Sequence, residues 1–134
     1  MCVAVPILSA ADERIAPLNG KDLLNWTTKE PTSRNHWQIG KAVLKQQDKQ
    51  QIVANKGGKA LINTQGRGVD IYTLQKFSDV RIELEVMVPK GSNSGIYVMG
   101  EYEVQVFDSF GKQDLNGGDM GAIYGAAPPR TNAQ

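Results

Sequence analysis

The sequence predicts an all-β fold, and three observations carry that prediction. No stretch sustains an i, i+3, i+4 apolar pattern beyond about two turns, so nothing qualifies as a helix of ordinary length. Fourteen glycines and six prolines in 134 residues punctuate the chain too often for long helices and suit many short strands. Apolar pieces of strand length recur between polar turns. With 40% hydrophobic residues, the chain has material for one core rather than two, so a single globular domain is expected.

The elements follow in order. Residues 1–11 (MCVAVPILSAA) are apolar, end in the small residues Ser9, Ala10 and Ala11, and give way to Asp12-Glu13-Arg14. That pattern is the back half of a secretory leader without its basic start, so residues 1–11 are expected to be a leader remnant. The domain then occupies residues 12–134, in a secreted or periplasmic protein. The competing reading is a short first strand, Val3 to Leu8, interrupted by Pro6. Asn19-Gly20-Lys21-Asp22 is a turn that leads to Trp26, an expected core anchor along with Trp37. Trp37-Gln38-Ile39, Lys41-Ala42-Val43-Leu44 and Gln51-Ile52-Val53-Ala54 are strand-length pieces of a meander, separated by Gly40 and by a polar run.

From Val80 to Val88 apolar residues alternate with Arg81, Glu83, Glu85 and Met87, which predicts one strand with one face in the core. Pro89, Gly91 and Asn93 then enforce a loop. Residues 94–99 and 102–107 form a hairpin around Gly100. A three-residue loop, Met99-Gly100-Glu101, pairs Val98 with Tyr102 and Ile96 with Val104, and so gathers Tyr97, Glu103 and Gln105 on the opposite face. A two-residue loop would mix apolar and charged groups, so the first register is preferred. Residues 109–134 are glycine-rich, with one strand-like island at Gly121-Ala122-Ile123-Tyr124.

Composition excludes several functions. Fifteen basic and fourteen acidic residues leave a net charge of +1 and no dense cationic cluster, which argues against nucleic acid as a partner. Cys2 is the only cysteine, so neither an intrachain disulfide nor a cysteine metal site can form. No apolar run is long enough to be a transmembrane segment.

Five ordered motifs carry a family resemblance: Leu18-Asn19-Gly20-Lys21-Asp22-Leu23 with Trp26; Asp79-Val80-Arg81-Ile82-Glu83-Leu84-Glu85; Asn93-Ser94-Gly95-Ile96-Tyr97; Glu101-Tyr102-Glu103-Val104-Gln105-Val106-Phe107-Asp108-Ser109; and Gly121-Ala122-Ile123-Tyr124 with Pro128. Together they resemble the 3-keto-disaccharide hydrolase family. That resemblance implies a concanavalin A-like jelly-roll β-sandwich and a carbohydrate partner. Family members usually run on past the segment matching Arg130-Thr131-Asn132-Ala133 into "GEW" and further strands. The resemblance therefore implies a sandwich incomplete at its C-terminus, whose open strand edges would favour association.

The chemistry the resemblance implies is base-assisted elimination from a 3-keto-glycoside or disaccharide, followed by hydration. It needs a base, donors or a metal for the enolate oxygen, and an acid for the leaving oxygen. Glu103, Gln105 and Asp108 are the catalytic candidates. Glu103 is read as base or metal ligand, against a solvated strand carboxylate. Gln105 either orients hydroxyls or satisfies neighbouring backbone. Asp108 needs a bulge near Phe107 to reach the same face, and otherwise caps a turn. Asn93 and Ser94 either bind sugar or shape the turn; Tyr97 and Tyr124 either stack on a sugar or pack. Arg130 matches a family position near the binding cleft. His36 reads as a surface or satisfied histidine, and Glu83 and Glu85 as a solvated strand face. The sequence identifies no cofactor with certainty; oxygen ligands leave room for an unidentified divalent metal. The alternatives to an enzyme are a non-catalytic carbohydrate-binding module and an inactive fragment of the family domain.

Overall fold

The computed structural model describes residues 14–29 and 34–132 in full and the backbone of residues 2–4 and 7–9. It is all-β, with eleven strands among the described residues: β1 (Cys2–Ala4), β2 (Ile7–Ser9), β3 (Arg14–Ile15), β4 (Trp26–Thr28), β5 (Trp37–Leu44), β6 (Ile52–Asn63), β7 (Ile71–Thr73), β8 (Val80–Ile82), β9 (Glu85–Met87), β10 (Asn93–Val98) and β11 (Tyr102–Phe107). Their pairings are antiparallel, in sheets ordered β5-β6-β1-β9, β3-β2-β8, β4-β7 and β10-β11. Two compact units emerge, residues 1–87 and 88–134.

In the first unit, β5 and β6 form the longest ladder. The two pieces expected on either side of Gly40 are one strand, bent by a register shift between Gly40 and Lys41. Opposite that shift, β6 runs on through Gly57 and Gly58, where the sequence suggested that the strand had ended. Gly58 is obligatory there: a Cβ would stand 2.0 Å from the Lys41 backbone nitrogen. Ile52 and Ile62 are buried on this ladder, packed by Ala42, Leu44, Ala54 and Ala60. Burial of two isoleucine side chains contributes about 4 kcal/mol of transfer free energy.

The long strand expected from Val80 to Val88 divides. β8 pairs with β2, and β9 pairs with β1, in different sheets. The division falls at Glu83 and Leu84, between the two strands. The apolar positions are accordingly only half-buried, and Ile82 is 38% exposed. The two tryptophans are also half-buried, and each is fixed by its indole N–H. Trp26 Nε1 donates to Pro17 O at 3.2 Å and Trp37 Nε1 to Val69 O at 2.8 Å. Arg81 Nη2 lies 2.6 Å from Glu83 Oε1, on solvated side chains. His36 Nδ1 is buried without a hydrogen-bond partner among the described residues.

The Asn19 turn closes as its sequence implies. Asn19 Oδ1 accepts the Lys21 and Asp22 N–H groups at 2.8 and 3.0 Å, and Asn19 Nδ2 donates to Asp22 Oδ1 at 2.8 Å. That last bond, with the Leu24 N–H, holds the Asp22 carboxyl below its ordinary pKa.

In the second unit β10 and β11 pair in the expected register, Val98 with Tyr102 and Ile96 with Val104. Gly100 has φ +70°, as the tight loop requires, and so does its neighbour Met99 at 58°. The island at Gly121–Tyr124 joins the free edge of β11. Gln105 N donates to Ala122 O, Gly121 N to Gln105 O and Tyr124 N to Glu103 O, all at 2.9 Å.

A candidate active site on the second unit

Residues directly opposite in antiparallel strands share a face. On β10–β11, Tyr97 lies opposite Glu103 and Gly95 opposite Gln105. Across the other edge of β11 the Val104–Ile123 bridge sets Tyr124 opposite Glu103 and Ala122 opposite Gln105. One face therefore carries the row Tyr97–Glu103–Tyr124, with the row Gly95–Gln105–Ala122 beneath it. The reverse face carries Ile96, Val104 and Val106, of which Val106 is buried.

Glu103 is half-buried, and its Oε2 accepts a hydrogen bond from the Tyr97 phenol at 2.9 Å. The carboxylate reaches this position by lying over Gly95, where an added Cβ would stand 2.0 Å from Glu103 Oε1 and 2.6 Å from Cδ. A glycine at that position is thus what seats the acid. Tyr97 and Tyr124 are each 56% exposed, so both rings present apolar surface with a polar tip to solvent.

Gln105 is only 2% exposed. Its Nε2 donates to Gly118 O at 3.3 Å and its Oε1 accepts the Val106 N–H at 3.1 Å. It braces the backbone of the 116–119 turn. Beside Tyr124, Gly117, Gly118, Gly125, Ala126 and Pro128 line a shallow cleft of about 470 Å³. No lining side chain is charged, and the glycines leave backbone accessible. The walls are tied together by Gly125 N donating to Gly117 O at 3.0 Å.

Behind the cleft lies a polar framework that sequence reasoning missed. Asp119 is 1% exposed; its oxygens accept Lys112 Nζ at 2.9 and 2.8 Å and the Asn116 N–H at 2.6 Å. The Lys112 ammonium, first, and the Asn116 N–H hold the Asp119 carboxyl below its ordinary value against the opposing effect of desolvation. Buried Ser109 bonds Asn132 through Oγ and its own carbonyl, at 3.1 and 2.7 Å, and Asn132 also donates to Lys112 O at 3.0 Å. No periodic signal links residues 109, 112, 119 and 132; only the folded loop does.

The remaining sequence candidates separate from this row. The hairpin ladder keeps its register through Asn93–Phe107, so no bulge brings Asp108 round; its Oδ2 accepts the Gly91 N–H at 2.8 Å and caps the preceding loop. Ser94 lies opposite Val106, on the reverse face. Asn93 shares the Glu103 face, at the far end of β10 and exposed to solvent. Arg130 is exposed, two residues beyond Pro128 of the cleft. Among the described residues, no group of three or more His, Cys, Asp or Glu stands close enough to hold a metal ion, and no helix is long and apolar enough to cross a membrane.

The profile of the 3-keto-alpha-glucoside-1,2-lyase-like domain matches residues 13–134. The chain belongs to this family. The match spans both units and every residue of the tyrosine–glutamate row, so the site lies wholly inside the 3-keto-alpha-glucoside-1,2-lyase-like domain. No curated protein and no solved structure matches the chain.

Proposed function

We propose that this domain cleaves the glycosidic bond of 3-keto-glycosides or disaccharides, with Glu103 as the base. A ketone acidifies the hydrogen on the carbon between it and the anomeric centre. Glu103 takes that proton, the electron pair forms a double bond to the anomeric carbon, the anomeric C–O bond breaks, and the departing oxygen takes a proton from water. Water then adds across the double bond in a hydrolase. The observation that supports this reading is the row itself: one carboxylate, fixed by a phenol at 2.9 Å, between two exposed tyrosines beside an uncharged cleft. Tyr97 orients the carboxylate, Tyr124 offers a wall for the sugar ring, and Gln105 holds the Gly118 segment of the cleft.

The test follows the proton. A 3-keto-glycoside incubated in deuterated water with the protein should gain deuterium at the carbon next to the ketone, and Glu103→Gln should slow that exchange by about 100-fold or more. Exchange at the same rate in the variant removes Glu103 from the step.

The two exposed tyrosines also favour a second reading, a carbohydrate-binding module. It predicts that Tyr124→Ala abolishes sugar binding while Glu103→Gln leaves it intact and no bond is cleaved. We further infer a secreted or periplasmic location, supported by the apolar residues 1–11 with their small-residue end. Sequencing the exported protein should find its first residue at Ala11 or Asp12; an intact Met1 in the cytoplasm opposes this.

A further inference from the structure

We propose that Asn116–Gly117 is a site of spontaneous deamidation, which places a negative charge next to the Gly117 wall of the cleft without any enzyme. The reaction needs an accessible backbone nitrogen after the asparagine, a polarised side-chain carbonyl and a leaving amide that nothing holds. All three occur here. Gly117 has no side chain to obstruct attack, and its N–H makes no hydrogen bond among the described residues. Asn116 Oδ1 accepts the Gly118 N–H at 2.8 Å, which draws electron density from Cγ and keeps the side chain folded toward the following backbone. Asn116 is exposed, and its Nδ2 has no acceptor among the described residues.

The step balances with water alone. Hydroxide removes the Gly117 N–H proton, and the nitrogen attacks Asn116 Cγ. The N–Cγ bond forms as the Cγ–Nδ2 bond breaks, and Nδ2 takes a proton from water and leaves as ammonia, restoring the hydroxide. Water then opens the resulting succinimide at either carbonyl, giving aspartate or isoaspartate, with no change of oxidation state.

The chain contains an internal control. Asn19–Gly20 has the same dipeptide and an Oδ1 that likewise accepts backbone N–H groups, but Asn19 Nδ2 is held by Asp22 Oδ1 at 2.8 Å. The Gly20 α-carbon is packed against Lys59, whose Cβ would stand 2.8 Å from an added Cβ. The leaving group is held and the turn is confined. Asn116 should therefore convert first.

The location gives the modification its consequence. A carboxylate at position 116 sits beside Asp119, which already binds the Asn116 N–H. Isoaspartate adds a carbon to the backbone of the turn, which displaces Gly118 O from Gln105 Nε2 and reshapes the cleft wall. This holds whatever the cleft binds.

The experiment ages the full chain in mildly alkaline buffer, with peptide mapping over time for the NH2-to-OH mass change and for isoaspartate. The expected result is conversion at Asn116 severalfold faster than at Asn19, a severalfold slowing by Gly117→Ala, and equal rates at the two sites in urea. Equal rates in the folded chain, faster conversion of Asn19, or an Asn116 advantage that persists in urea would overturn the proposal. Asn116→Gln, which retains the amide but disfavours the ring closure, should remain unmodified, and conversion at the same rate would count against it too.

Discussion

Gly95 makes the sharpest statement at the scale of single residues. The atoms that a Cβ would strike belong to the flexible end of Glu103, so Gly95→Ala should move the carboxylate while the backbone stays in place. The expected cost in stability is about 1 kcal/mol, together with loss of proton exchange from a 3-keto sugar. Denaturant melts paired with the exchange assay separate the two, and retained exchange would show that Glu103 tolerates another position. Tyr97→Phe removes one charge-assisted hydrogen bond. It should slow turnover roughly tenfold, for a bond worth about 1.4 kcal/mol, with the melt unchanged. Much of this row could be read from the sequence, because strand parity and a three-residue loop place Tyr97 opposite Glu103. Tyr124 entered the row only through pairing of residue 123 with 104. Local pattern does not specify such long-range pairing. Asp108 shows the reverse: strict alternation already put it on the other face, and the structure supplies its partner, the Gly91 N–H.

At the scale of elements, alternation identified strands better than it identified where they end. β8 and β9 read as one strand because alternation runs on through Glu83 and Leu84, which lie between two strands that pair in different sheets. β6 read as shorter than it is because Gly57 and Gly58 resemble a turn; they serve a bulge that brings Gly58 against Lys41. Gly58→Ala should therefore cost about 3 kcal/mol, measurable by denaturant unfolding, and a neutral effect would show that the bulge relaxes. The clip between Lys112 and Asp119 was illegible for another reason, since an ion pair between an exposed lysine and a buried aspartate at two loop positions has no period. Asp119 has its pKa lowered in the fold, so its contribution is full above the ordinary carboxylate range. It is lost as pH falls through the depressed value. Asp119→Asn should lower the thermal midpoint at neutral pH and flatten its decline in acid; an unchanged acid profile would place the titrating group elsewhere. Residues 1–11 face opposed demands, because the segment read as a leader also supplies β1 and β2 to two sheets. Removal of a leader would leave β6 without β1 at its edge.

For the whole molecule, the all-β class followed from glycine and proline punctuation and from the absence of helical periodicity. The family followed from five motifs, and it is shown by the match over residues 13–134. The site depends on two strands of the second unit and the bridged segment at Ile123 meeting on one face, with a glycine-lined cleft beside them. Its chemistry is most directly tested by incubating a 3-keto-disaccharide with the wild-type chain and with Glu103→Gln, and measuring the monosaccharide released. Release by the wild type, reduced about 100-fold or more in the variant with the same thermal midpoint, is the expected result. Equal release by both proteins, or none by either, would contradict Glu103 as the base of a glycoside-cleaving site.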